Sequence, residues 1–195
     1  VGEEEGGDLA AGTRWIIDPI DGTKSFVAGV PLYATLVSFE ESFLPVAAAC
    51  YFPALDEMLY ADLEGGAFFN GRPCRVSSRT DLDRALVCVG NPQRFVSLGR
   101  LEGFLRLSAG VLDVRTWCDA YGHALVATGR VDAMIDPNIS LWDVSALSLI
   151  LKEAGGTFTD FDGRDTLVHP RENGKYDAIS ANGKLTQEVL GLFHP

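Results

Sequence analysis

Positive charge is scarce in this chain, and so are the residues that usually carry redox or nucleophilic chemistry. Sixteen Lys and Arg stand against 27 Asp and Glu, leaving a net charge of −11 over 195 residues. That balance argues against nucleic acid as a partner, because such affinity comes largely from Lys and Arg on phosphates. The four cysteines, Cys50, Cys74, Cys88 and Cys118, lie far apart and form no CxxC pair. Zinc and dithiol chemistry are thereby set aside, and reduced thiols are expected. His123, His169 and His194 show no metal-ligand spacing, so each reads as a structural or surface residue. No apolar run approaches the ~20 residues needed to span a bilayer, and no basic-then-apolar leader is visible. The expectation is a cytoplasmic protein with no membrane partner. The chain opens at Val1, and Gly2-Glu3-Glu4-Glu5-Gly6-Gly7 reads like the middle of a longer protein, so upstream sequence is expected.

What is present divides in two. Residues 1–78 are β-rich, with candidate strands at 14–18, 33–40, 44–52 and 57–62 and a short strand entering a turn at Asn70-Gly71. Ser77–Arg84 is a polar connection. From residue 79 onward strands alternate with helices. Strands are predicted at 85–89, 111–116, 131–135, 157–160 and 177–180, and helical spacing at 93–108, 120–128, 143–154 and 185–193. This alternation implies an α/β layered domain.

The most informative stretch is Trp15-Ile16-Ile17-Asp18-Pro19-Ile20-Asp21-Gly22-Thr23. An apolar run reads as a buried strand, and Pro19 and Gly22 predict a turn where it ends. Two carboxylates there repel unless a cation lies between them. Hard oxygen ligands suit Mg²⁺, which keeps several waters and meets substrate phosphates. Gly22 and Thr23 offer backbone N–H groups and a hydroxyl to such a phosphate. Taken singly, each acid has an ordinary explanation. Asp18 or Asp21 can order a turn, Glu3-Glu4-Glu5 can be a solvated loop, and Asp143 can complement the dipole of the helix that it opens.

Taken together, Glu3-Glu4, the Asp18-Pro19-Ile20-Asp21-Gly22-Thr23 hexapeptide, Trp142-Asp143 opening a helix, Gly155-Gly156 and Ala181-Asn182-Gly183 resemble the inositol monophosphatase family. The resemblance covers essentially the whole chain. It implies an alternating α/β/α/β/α sandwich and a Mg²⁺-dependent, lithium-sensitive phosphatase of small-molecule phosphate monoesters. Two to three Mg²⁺ ions per site are implied, with Mn²⁺ as a substitute. Residues 1–78 would then form the metal- and phosphate-binding part of one phosphatase domain, and residues 79–195 the substrate-binding part.

By the same resemblance, Glu3, Asp18, Asp21 and Asp143 are metal ligands, joined by the backbone carbonyl of Ile20. Glu4 matches the second glutamate of the motif. Gly22 and Thr23 would cradle the phosphate, with the Thr23 hydroxyl orienting the attacking water. The family's helical segment upstream of the Glu-Glu motif has no counterpart in this stretch. It is implied to supply an acidic partner for Thr23, active-site covering and part of a homodimer interface. A chain without it is expected to bind metal yet to hydrolyse poorly, and a non-catalytic metal- or phosphate-binding protein is the contrasting possibility.

The substrate is suggested by Trp117-Cys118-Asp119-Ala120-Tyr121-Gly122 and by Lys24-Ser25-Phe26 leading to Gly29-Val30-Pro31, which resemble the histidinol-phosphate branch. Asp119, otherwise a helix cap, and Asp136 are the expected substrate contacts. Two carboxylates beyond the metals match the ammonium of histidinol phosphate better than the hydroxyls of inositol phosphate. An inositol-1-phosphatase-like or broad sugar-phosphate phosphatase is the alternative, and a bisphosphate-nucleotide phosphatase a more remote one.

Overall fold

The structure is a computed structural model that describes residues 1–4, 6–117 and 119–194. Its first half is an antiparallel meander: β1 (Thr13–Asp21), β2 (Ala34–Glu41), β3 (Leu44–Phe52), β4 (Glu57–Asp62), β5 (Gly66–Phe69) and β6 (Arg72–Pro73), in that spatial order. Two-residue turns with both residues at positive φ join β2 to β3 (Ser42, Phe43) and β5 to β6 (Asn70, Gly71). Such turns match the twist of a hairpin. Asn-Gly announces the second, whereas Ser-Phe gives no warning of the first.

The second half contains β7 (Leu86–Val89), α2 (Pro92–Ser97), α3 (Leu101–Gly110), β8 (Asp113–Arg115), α4 (Ala120–Ala127), β9 (Ala133–Ile139), α5 (Leu141–Glu153), β10 (Thr157–Thr159), β11 (Tyr176–Ala181) and α6 (Thr186–Gly191). Its strands form a mixed sheet in the order β10-β11-β9-β7-β8, in which β8, β7 and β9 run parallel. A short α1 (Thr23–Val27) follows β1.

Two hydrophobic clusters arrange these elements in layers. One joins the inner face of the first sheet (Leu36, Cys50, Leu59) to α4 and α5 and to one face of the second sheet (Cys88, Met134, Ala178). The other joins the opposite face of the second sheet (Val87, Val89, Ala133, Ile135) to Phe95, Leu107 and Val189 of α2, α3 and α6. Alternate residues of one strand thus serve different cores, as the two-residue period of a strand requires. Helix α5 is buried almost all round, from Val144 to Leu151, as befits a helix enclosed between sheets. The sequence of layers is sheet, helices, sheet, helices, in agreement with the expected α/β layering. The outer face of the first sheet exposes Trp15, Ile17, Tyr51 and Met58.

Three expectations need correction. The 93–108 segment is two helices, because Gly99 at φ 67° breaks it after Leu98. Helix α5 begins at Leu141, so Asp143 lies in its first turn rather than at its start. Strand β1 does not end at Asp18 but continues through Pro19 to Asp21. Cys50, Cys74 and Cys88 are in no disulfide. The expectations for Glu5 and Cys118 fall outside the described residues. Among those residues, no helix is long and apolar enough to cross a membrane.

Candidate metal centre and active site

A regular strand would send Asp18 and Asp21, three residues apart, to opposite faces. The register of β1 against β2 jumps from Asp18↔Leu36 to Asp21↔Ala34, so three steps on β1 match two on β2. This bulge absorbs one residue and turns both carboxylates inward. Pro19 suits it, having no N–H to give to the ladder. Asp18 accepts a hydrogen bond from the Ile20 amide at 3.0 Å, which orders the bulge. Both side chains are buried, at 1% and 7% exposure.

The first turn of α5 brings the third carboxylate. Oxygens of Asp18, Asp21 and Asp143 all lie within 4.8 Å of one another. Asp143 Oδ2 also accepts from the Ser140 amide at 2.7 Å. The ordinary role of a first-turn acid and membership of the converging trio therefore coexist in one side chain. Asp21 is likewise shared, accepting the Ala120 amide at 2.9 Å and so capping α4 from a distant strand. Asp119 occupies the cap position of α4 but leaves that bond to Asp21.

Burial is the largest cause raising the pKa of Asp18, Asp21 and Asp143, and their neighbours' negative charges raise it further. For Asp18 the next contributors are Asp143 and Glu3, and for Asp21 they are Asp119 and Asp143. Such a set is strained as three anions and comfortable around a cation. Three converging hard oxygen donors, two of them buried, fit Mg²⁺ in particular. Cys50 lies close enough that Asp21 and Asp18 add to the burial that raises its thiol pKa.

A cleft of about 550 Å³ opens over these groups. Exposed Glu3 lines it but is outside the converging trio. Glu4 is exposed as well. Gly22 sits at φ 75°, ψ 40°, and a Cβ there would lie 3.1 Å from both Asp119 Oδ2 and the Leu32 carbonyl, so a side chain would be crowded and its backbone strained. The Thr23 hydroxyl donates to the Ile20 carbonyl at 3.1 Å, tying two expected site atoms together.

The far wall is built at the carboxyl ends of the parallel strands, where open α/β sheets place their ligands. Gly90 and Asn91 follow β7, Thr116 follows β8, and Asp136 lies on β9. Asp136 is 3% exposed and accepts from Arg94 Nη1 at 3.0 Å. Burial is the main influence on its pKa, which stands at about 7 even though Arg94 pulls it down. A Cβ on Gly90 would lie 2.1 Å from Asp136 Oδ1, so glycine there makes room for this carboxylate. Asp119 also lines the cleft, with a backbone at φ 56°, ψ −147° that few non-glycine residues adopt. His123 forms part of the floor. It is fully buried, bonded through Nδ1 to Ser180 Oγ at 2.8 Å, with burial lowering its pKa to about 3. Sequence reasoning missed Arg94 and α1, because neither an arginine on a short helix nor a five-residue helix has a distinctive pattern.

Comparisons with known proteins bear on what this acidic trio under an open cleft belongs to. The chain is 38% identical to a histidinol-phosphatase of Streptomyces coelicolor, an alignment covering 99% of this chain and 74% of that one. It is 40% identical to a histidinol-phosphatase of Chlorobaculum parvum, over 92% of this chain and 67% of the relative. The solved extragenic suppressor protein suhB from Bartonella henselae superposes with a TM-score of 0.90 at 31% identity, covering 100% of this chain and 74% of that structure. The fold is shared with these proteins, and the relatives make the chain a phosphoric monoester hydrolase. More particularly, residues 1–194 match the inositol monophosphatase family, and the chain belongs to it.

Proposed function

We propose that this chain hydrolyses a small-molecule phosphate monoester with Mg²⁺ held by Asp18, Asp21 and Asp143, and that histidinol phosphate is the preferred substrate. The convergence of three carboxylates within 4.8 Å, two buried and one half-buried, carries the reading. Glu3 and the Ile20 carbonyl complete the donor set. When bound, the cation supplies Lewis-acid stabilisation of phosphoryl oxygens and a water of lowered pKa. The chain's own groups orient the ester: Gly22 and Thr23 offer the amides of a tight turn to the phosphate, and the buried aspartates hold their oxygens without reorganising. No protein nucleophile is needed for direct attack by water.

The substrate preference rests on the far wall. Asp119 and Asp136 both line the cleft; the ammonium is assigned to Asp119, the acid at the start of α4, with the Arg94–Asp136 pair as a donor–acceptor edge beside it. The two histidinol-phosphatase relatives favour the same choice. Inositol phosphate is the second reading, because a paired edge of this kind can also meet hydroxyls. Phosphate release from histidinol phosphate and inositol phosphate, measured side by side with Mg²⁺ and with chelator, tests both readings. The expected result is Mg²⁺-dependent release with higher kcat/KM for histidinol phosphate. Equal or inverted preference would reject the substrate, and chelator-insensitive release would reject the metal.

A further inference from the structure

Beyond Asp18 on β1 and Asp143 on α5, the same two elements meet again at a second polar cluster. Arg14 lies on the inward face of β1, four residues before Asp18, and pairs in register with Glu40 of β2. Glu40 is fully buried, and Arg14 Nε contacts its Oε2 at 2.8 Å. The other oxygen, Oε1, accepts the Ser145 hydroxyl at 2.6 Å, and Ser38 Oγ lies 2.7 Å from Ser145 Oγ. Ser145 is two residues beyond Asp143. Glu40 therefore links the strand carrying two of the metal carboxylates to the helix carrying the third.

Energy alone explains this arrangement poorly. A buried ion pair loses much of its attraction to desolvation, and apolar residues of similar size often serve stability as well or better. What apolar packing lacks is direction. Between its ends α5 shares an apolar cluster with the first sheet (Ala146, Leu147 and Ile150 with Ala48 and Cys50), while at its C-terminal end Glu153 accepts from the Glu64 and Gly66 amides at 3.0 and 2.9 Å, so the Glu40–Ser145 contact is the polar anchor nearest Asp143. A slide of one residue moves a helix about 1.5 Å. Mg²⁺, which demands near-ideal octahedral geometry at about 2.0–2.1 Å, would not tolerate such a shift.

We propose that Arg14, Glu40 and Ser145 are positioning residues for the metal centre, fixing α5 along its axis so that Asp143 meets Asp18 and Asp21. This rests on the metal reading above. The test is calorimetric titration of wild type, Ser145→Ala and the double variant Arg14→Met/Glu40→Leu with Mg²⁺ and, separately, Ca²⁺, beside thermal unfolding of each metal-free protein. Removal of groups that hold metal ligands typically weakens affinity about 10–100-fold. The expected result is Mg²⁺ affinity at least about tenfold weaker. Ca²⁺, with its looser geometry, should weaken by less than about threefold; metal-free melting should fall for Ser145→Ala, which leaves buried Glu40 short of a donor, and change little for the double variant, which leaves no buried charge. Should Ser145→Ala fail to fold, the double variant carries the same comparison. Unchanged Mg²⁺ affinity, or equal loss for both ions, would overturn the positioning role while leaving the metal reading intact. A wild type that binds neither ion would overturn both.

Discussion

Each sheet contributes an Asp-Pro bulge to the cleft, and the two bulges differ in how their charge is met. On β1, Asp18-Pro19-Ile20 breaks register against β2. On β9, Asp136-Pro137-Asn138 breaks register against β11, with Asn138 at φ 60°. In both, proline sits where a ladder donor is dispensable, and the preceding aspartate turns into the cleft. The β1 bulge gathers Asp21 and Asp143 around its aspartate, so negative charge accumulates. The β9 bulge places its aspartate against Arg94, so charge is cancelled internally. One device thus yields a site that calls for a cation and a wall that is already balanced.

Breaking the first bulge's charge should have the largest effect. Asp21→Asn or Asp143→Asn is expected to reduce Mg²⁺-dependent phosphate release to background, and full activity in either would refute the shared centre. Asp119→Ala should come next. Losing a charge-assisted contact of about 1.5–3 kcal/mol implies roughly a 10–150-fold fall in kcat/KM for histidinol phosphate. Inositol phosphate turnover should fall far less, and an equal fall would remove Asp119 from substrate selection.

Unbalancing the second bulge should mainly affect stability. Arg94→Leu leaves Asp136 buried without its partner. Because Arg94 is about one-third exposed, the cost is discounted to about 1–2 kcal/mol by denaturant unfolding. Asp136→Asn added to Arg94→Leu should recover part of that loss. No recovery would show that the pair is not what balances the wall.

The smallest effect is in pH dependence. Asp136, with its folded pKa raised to about 7, and the three raised carboxylates at the β1 site bind protons in the folded state that the unfolded chain has released. Their contribution is complete below the unfolded value near 4 and is lost as pH rises towards and through 7. His123, lowered to about 3, acts oppositely, and its contribution is lost as pH falls below about 6.5. Metal-free protein should therefore unfold at lower urea concentration at pH 8 than at pH 6.5, and Mg²⁺ should flatten that slope. A midpoint that rises with pH under chelator would contradict the assignment of charge.

The three carboxylates that converge could be named from sequence, because an apolar run ending in clustered acids and an acid opening an apolar helix are local patterns. How Asp18 and Asp21 come to share a face could not, since strand periodicity places them apart and only the pairing with β2 reveals the bulge. The layering was legible in the change from strand runs to strand–helix alternation. The division of 93–108 was not, because helical spacing survives across Gly99. Nor was the Arg94–Asp136 pair, whose members are 42 residues apart and meet only through the fold.

The enclosure of α5 also bears on the order in which the chain assembles. The first sheet is complete by residue 73, yet the helix that covers its inner face spans Leu141–Glu153. During synthesis the meander must wait, with one apolar side open, until the 80 residues from 74 to 153 have also been made. Contacts so distant in sequence are slow to form and leave intermediates prone to association. A fragment ending at Ser140 is expected to bind an exposed-hydrophobe dye and to fail to bind Mg²⁺ even though it contains both aspartates of β1. Metal binding therefore serves as a signal that the two halves have closed on each other.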